Sequence, residues 1–146
     1  MIFVESKTYG IMNEDALKTY NDECCGFLFG SENQAGDRII SDVVVVTNSS
    51  GENKNRRFVI SPKDYLKAEQ YALSNGLDLI GVYHSHPDHP AIPSEHDRVA
   101  AQPWFSYIII SVDKNGIHDT RSWRLNEESI FEEEFFSAQL STNNKL

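Results

Sequence analysis

The stretch GVYHSHPDHPAIPSEHDRVA, residues 81–100, holds four of the chain's five histidines. It also sets Ser94 three places ahead of Asp97. Leu77 to His86 (LDLIGVYHSH) is a short apolar run and reads as a strand that enters the histidine cluster. Side chains two apart on a strand share a face. His84 and His86 therefore point the same way, with Ser85 opposite. Two imidazoles side by side on a rigid strand form a ready pair of zinc ligands. The connecting PDHPAIP is rich in proline, so a stiff loop could return the chain to the strand's end. A helix beginning near Ser94 would then bring Asp97 to the same metal. Two histidines and one carboxylate leave a fourth tetrahedral position for water, as in catalytic zinc sites. Zinc there would lower the pKa of water toward about 7 and polarise a carbonyl. Such chemistry also needs a carboxylate close to the metal but not bound to it, as general base.

Plainer readings stand beside this one. A His-x-His pair on a strand also occurs with no metal. Ser94-Glu95-His96-Asp97 fits a helix cap, with Ser94 at the cap and Asp97 at the third helical position. The two roles can coexist, because a capping serine can still aim its hydroxyl at a substrate oxygen. His89 and His96 read as loop and surface residues, and His118 lies on an outgoing strand. Asp88 could touch a metal, but its place in the loop favours solvent.

Working outward, 146 residues suit one domain. No internal repeat, low-complexity tract or linker divides them. We expect residues 1–138 to form that domain and residues 139–146 a disordered tail. Thirteen basic against 22 acidic residues give a formal charge of −9. No long basic run is present to displace counterions from phosphate, which argues against a nucleic-acid partner. The densest basic stretch, NKNRR at 53–57, reads as a solvated loop. No run of about 18 apolar residues could cross a membrane, and MIFVESKTYG lacks the features of a secretory signal. A cytoplasmic location is the expectation. Cys24 and Cys25 are adjacent, so on a strand they face opposite ways and make a poor disulfide. They read as reduced, buried strand residues.

Other elements follow from local signals. Ile2 to Val4 suggests an edge strand, and Asn13 a cap for a helix through EDALKTYN. Cys24 to Phe29 reads as a buried strand closed by Gly30, and RIISDVVVVTN as one β-branched strand or two short ones. Arg57 to Ile60 suggests a short strand. In SPKDYLKAEQYALSNG, Ser61 can cap, Pro62 suits the first helical turn and Gly76 the end. Tyr65, Leu66, Ala68, Tyr71, Ala72 and Leu73 recur at helical intervals, as a core-facing stripe would. Residues 106–112 (SYIIISV) form an apolar strand, DKNG at 113–116 a hairpin turn, and HDTRSWRL the returning strand. The start of ESIFEEEFFSAQLSTNNKL is ambiguous between strand and helix. This irregular alternation predicts an α/β fold, a mixed sheet with helices against it.

Taken together, Glu23, His84-Ser85-His86-Pro87 and Ser94-x-x-Asp97 resemble the signature of the JAMM (MPN+) zinc metalloproteases. That pattern is an upstream Glu, then H-[ST]-H, a seven-residue gap and S-x-x-D; here the gap runs from Pro87 to Pro93. Glu23-Cys24-Cys25-Gly26-Phe27-Leu28-Phe29-Gly30 resembles the family's E-x-x-G-x-L-x-G strand. The resemblance covers roughly residues 1–125 and implies a cytidine-deaminase-like curved mixed β-sheet flanked by helices. It implies that His84, His86 and Asp97 bind Zn2+. It further implies that Glu23 is the general base, which passes its proton to the leaving amine, and that Ser94 donates to the oxyanion. Only the resemblance selects Glu23 from the 22 acidic residues. Cytidine deaminases themselves are a poor match, because no cysteine follows Cys25 to supply their P-C-x-x-C ligands.

The short stretch after Asp97 leaves little room for the ubiquitin-holding insertions of eukaryotic relatives. The HSHPDHPAxPS-like loop and the following Trp104-x-Ser106-Tyr107 resemble the bacterial stand-alone branch. That branch is linked to ubiquitin-like β-grasp sulfur-carrier proteins ending in Gly-Gly. The resemblance therefore implies a peptidase cutting after that Gly-Gly. A deubiquitinase-like isopeptidase and a non-catalytic MPN scaffold are the alternatives; the complete residue set speaks against the scaffold.

Overall fold

The computed structural model describes residues 1–138, so the expected tail at 139–146 lies outside the described residues. The elements run β1 (Ile2–Val4), α1 (Ser6–Thr19), β2 (Cys25–Glu32), β3 (Arg38–Val46), α2 (Pro62–Asn75), β4 (Asp78–Pro87), α3 (Glu95–Ala100), β5 (Ser106–Asp113), β6 (Gly116–Leu125), β7 (Phe131–Glu134) and β8 (Phe136–Ala138). One mixed sheet carries all the strands in the order β7-β6-β5-β4-β2-β3-β1-β8. β4 sits centrally, antiparallel to β2 and parallel to β5.

The sheet has a core on each face. One holds Met12 and Ala16 of α1 with Cys24, Leu28, Ile108 and Ile110. The other holds Ala68 and Ala72 of α2 with Cys25, Phe27, Phe29 and Tyr107. The adjacent cysteines thus enter opposite cores, as period-two geometry requires, and both are free thiols. Ile80 and Val82 are also two apart, yet they too face opposite cores. A bulge explains this: Leu28 pairs with Gly81 but Phe29 with Leu79, so Ile80 has no partner in the ladder and the alternation resets. Downstream of the bulge, His84 shares the face of Val82.

Several sequence expectations hold. Ser61 Oγ accepts from Asp64 N–H, Pro62 opens α2, and Gly76 ends it at φ 65°. Others need correction. Ile2–Val4 is no edge strand, because β3 and β8 flank it in parallel. Asn13 caps nothing; α1 begins seven residues earlier at Ser6. Thr8, Met12 and Ala16, each four apart, bury one stripe of that helix, so packing rather than a side-chain cap sets its start. Leu66 and Leu73 lie 55% and 85% exposed, so the core stripe of α2 is narrower than expected. Residues 57–60 are not a strand, although Phe58 and Ile60 are buried. The ambiguous tail resolves as strand where it is described, in β7 and β8.

A buried polar network closes the curved sheet. Arg38 is fully buried, with Nε donating to Glu32 (2.9 Å) and Nη1 to Ser106 Oγ (2.9 Å). Ser106 and Ser122 both donate to Glu134 Oε2 at 2.7 Å. Arg124 bonds Glu134 through Nε (2.9 Å) and the Gly36 carbonyl through Nη2 (3.2 Å). The β2–β3 hairpin is thereby tied to β5, β6 and β7. Each charge has an opposite partner, which burial demands.

Gly81 faces Ser106 across the β4–β5 ladder, and a Cβ there would lie 1.9 Å from the Ser106 carbonyl oxygen. The backbone must move to relieve that clash. Gly81→Ala should therefore cost about 1–3 kcal/mol or more, read as a lower midpoint in guanidinium unfolding.

Candidate active site

The β2–β4 register places the site. Cys25 pairs with His84, and Ser85 N–H donates to the Cys24 carbonyl at 3.2 Å. Continuing this antiparallel step sets Glu23 alongside His86. Cys24 N–H also donates to Ser85 Oγ (2.8 Å), which fixes Ser85 on the opposite face from the histidines. The following loop is stapled back to the sheet. Asp88 N–H donates to the Val112 carbonyl (2.7 Å), Ser111 Oγ to the His89 carbonyl (2.6 Å), and Trp123 Nε1 to the Ala91 carbonyl (3.1 Å).

α3 then delivers Asp97. Ser94 Oγ accepts from Asp97 N–H (3.0 Å), while Ser94 N–H donates to Asp97 Oδ2 (2.9 Å), a complete capping box. The cap and the convergence on the histidines are one arrangement. Asp97 Oδ2 lies 3.2 Å from His84 Nε2 and 3.1 Å from His86 Nε2. The two Nε2 atoms are 3.1 Å apart.

This donor set fits a metal ion. His86 Nδ1 donates to the Pro90 carbonyl at 2.8 Å, since a carbonyl can only accept. In neutral His86 the Nε2 lone pair is therefore directed at the centre, the tautomer that metal-bound histidines adopt. Phe58 stacks on the His84 ring at 4.4 Å between centroids. Three buried ligand atoms thus converge within 4.8 Å of one another. Burial opposes ionisation of Asp97, but the imidazoles outweigh it and hold the carboxyl far below the ordinary carboxylate range. Burial likewise opposes protonation of His86, yet Asp97 raises its pKa. The centre favours positive charge, whether proton or divalent cation.

Glu23 is buried beside this centre, and its Oε1 has no hydrogen-bond partner among the described residues. Burial pushes its carboxyl up to about 7, against the pull of His84 and His86. A proton acceptor poised near neutral pH is what general base catalysis favours. Ser94 is exposed to the same cavity, and its capping oxygen acts as an acceptor, so its O–H remains able to donate into the cavity. The cavity is about 370 Å3 and is lined by Glu23, Arg56, His86, His89, Pro90, Ile92 and Ser94.

Other sequence candidates lie away from the centre. His89 is exposed and lines the cavity wall. His96 is half-buried, with Nε2 3.4 Å from the Phe58 carbonyl. His118 pairs with Asp113 at 2.7 Å, apart from the cluster. Asp88 is exposed, and its Oδ1 accepts from Tyr20 O–H at 2.8 Å.

Sequence reading missed the 48–58 loop. Asn48 Nδ2 donates to the carbonyls of Glu23 (3.1 Å) and Arg57 (2.9 Å). Its Oδ1 accepts from Ser50 N–H and Val59 N–H. Glu23 N–H donates to the Lys54 carbonyl at 2.7 Å. The loop therefore grips the Glu23 backbone from both sides. A lone asparagine among turn residues carries no signal of this in sequence.

The model of the prokaryotic homologs of the JAB domain matches residues 5–126. The chain belongs to this family. It is 33% identical over 107 residues to the desampylase of Pyrococcus furiosus, covering 73% of this chain and 69% of that one. It is 25% identical over 135 residues to the CysO-cysteine peptidase of Mycobacterium tuberculosis, covering 91% and 88%. A solution structure of a Desulfitobacterium hafniense protein superposes with a TM-score of 0.83 at 27% identity, covering 99% and 97%. A JAB1/MPN domain protein from Archaeoglobus fulgidus shares the fold, with a TM-score of 0.57 at 18% identity over 92% and 96%. The expected curved mixed sheet flanked by helices is therefore the fold of this JAB-domain chain.

Two tests follow from the site. Asn48→Ala strips four hydrogen bonds from the loop and should lower stability by about 1–3 kcal/mol in chemical denaturation. The second concerns pH. Glu23 shifts from 4.5 in the unfolded chain to about 7 in the metal-free fold. Below 4.5 both states are protonated and nothing is lost. Between 4.5 and 7 the folded state holds a proton that the unfolded state releases, so stability falls as pH rises and then levels off. Glu23→Gln should gain up to about 3 kcal/mol over wild type above pH 7 and nothing below pH 4.5, measured by urea melts in chelator.

Proposed function

We propose that this chain is a zinc-dependent peptidase that hydrolyses the bond after the C-terminal Gly-Gly of a ubiquitin-like β-grasp sulfur-carrier protein. One observation carries the reading: His86, one of three converging ligand residues, shares a cavity with the buried Glu23, whose Oε1 has no partner among the described residues, and with Ser94, whose O–H is left to donate. Membership of the JAB-domain family supports it, as do relatives named for desampylase and CysO-cysteine peptidase activity.

His84, His86 and Asp97 would hold the zinc, which when bound polarises the scissile carbonyl and makes water a better nucleophile. Glu23 takes a proton from the attacking water as its oxygen bonds to the carbonyl carbon. Ser94 donates a hydrogen bond to the carbonyl oxygen as negative charge gathers there. The C–N bond then breaks, and Glu23 returns the proton to the leaving amine, so Glu23 ends as it began. A Gly-Gly tail suits a narrow approach because it has no side chains to obstruct it. Such a tail can add to a strand edge through its backbone alone. Among the described residues β1 pairs with β3 only at residues 38–40, and the β3 edge beyond them is where such a tail would add. A soluble, cytoplasmic setting accords with this substrate, and among the described residues no helix is long and apolar enough to cross a membrane.

Elemental mass spectrometry should find about one zinc per chain, lost in His84→Ala. Zinc-loaded protein should shorten a carrier extended beyond Gly-Gly, read as a mass change. Glu23→Gln should retain zinc and lose at least about a hundredfold in rate. An unchanged carrier mass with zinc bound would discard this substrate; full activity in Glu23→Gln would discard the mechanism.

A further inference from the structure

We propose that Arg56 binds the free α-carboxylate of the piece released by cleavage, so that the enzyme trims a short acid-terminated extension rather than opening an isopeptide bond. This rests on the peptidase reading above and narrows its substrate. Arg56 lines the cavity that also contains Glu23, His86 and Ser94. It is the one lysine or arginine among that cavity's described lining residues. It lines an adjoining cavity as well, with Asp88 and His89.

Arg56 and the adjacent Arg57 are the two arginines without a side-chain ion pair or hydrogen bond among the described residues, and of these two Arg56 lines the cavity. Arg38, Arg98, Arg121 and Arg124 all pair with carboxylates. Among the described residues, the Arg56 guanidinium has no ion pair or hydrogen bond, although acids outnumber bases 22 to 13. Its backbone is well fixed. Arg56 N–H and Arg57 N–H both donate to the Asn53 carbonyl at 2.9 Å, and Asn53 takes a left-handed φ of 52°. The neighbouring Lys54 carbonyl accepts from Glu23 N–H, so one loop sets the position of both Arg56 and Glu23.

The chemistry of the leaving group then selects the ligand. Glu23 delivers its proton to the leaving amine, so the leaving piece must lie beside Glu23. If that amine is the α-amine of a terminal amino acid, a carboxylate lies only one carbon beyond it. Inside a chain of net charge −9, next to a carboxyl, that anion needs a cation. A guanidinium offers the bidentate match. A cavity of about 370 Å3 accepts one or two residues. A lysine side chain leaving from an isopeptide bond brings no carboxylate to this point. Asp88 lines only the cavity that lacks Glu23, and its Oδ1 accepts from Tyr20 O–H, so the cavity shared with Glu23 is where the anion sits.

The test uses a recombinant β-grasp sulfur carrier with one alanine after Gly-Gly, ligated as the free acid or as the C-terminal amide. Zinc-loaded wild type should prefer the acid about tenfold in kcat/KM, mainly through KM. Arg56→Gln should bring the ratio close to one by slowing only the acid, and Arg56→Lys should restore part of it. Equal slowing of acid and amide in Arg56→Gln would overturn the proposal, as would a wild type blind to the difference. Binding to zinc-loaded Glu23→Gln separates the two readings. If wild type cuts neither form while that variant binds the acid about tenfold tighter, the peptidase reading fails and the Arg56 seat stands. Equal affinity for acid and amide overturns the seat by itself.

Discussion

Cys25 pairs with His84 across the antiparallel β2–β4 ladder, and the rest of the site depends on that register. Slipping it by one residue would turn every side chain of one strand to the other face. As it stands, the histidines emerge from the centre of the sheet, on a strand paired to β2 on one side and β5 on the other. Glu23 follows from the same ladder, because it lies just beyond β2 on the level of His86. The bulge at Ile80 belongs to this logic too. It lets a strand that begins with one alternation deliver both imidazoles to the α2 side of the sheet.

The parts of this arrangement that are periodic were legible in the sequence. The shared face of His84 and His86 follows from strand geometry alone. The start of α3 follows from Ser94 and Asp97, and both ends of α2 from Ser61, Pro62 and Gly76. These are local rules with local chemistry. The failures are where tertiary contacts decide. Asn13 offers good capping chemistry in a segment whose helix is held by Thr8, Met12 and Ala16 against the sheet. Phe58 and Ile60 bury themselves without strand pairing, because Asn48 and the neighbouring loop supply the backbone partners a strand would have needed. Glu23 was legible only through family resemblance. Arg56 lay within a basic run that reads as solvent-facing; it is exposed, but it also faces the cavity.

Two kinds of order support the site. The sheet gives rigidity to the histidines, whereas side-chain to backbone bonds hold the two loops that face each other across the cavity. The Asn48 loop grips Glu23, and the 88–93 loop is fixed by Ser111 and Trp123. The Arg38–Glu134 network ties the β2–β3 hairpin to β5, β6 and β7. That network keeps β4 and β5 in place without contributing a group to the site.

The capping box at α3 has an evolutionary consequence. Asp97 serves the helix through its bond to the Ser94 amide and serves the centre through the same oxygen. Asparagine in its place could keep the cap, since its amide oxygen also accepts, while it removes the charge that steadies a cation. A single nucleotide change can make that exchange. The fold thus contains a short route by which a duplicated copy could shed its chemistry and persist as a folded binding partner.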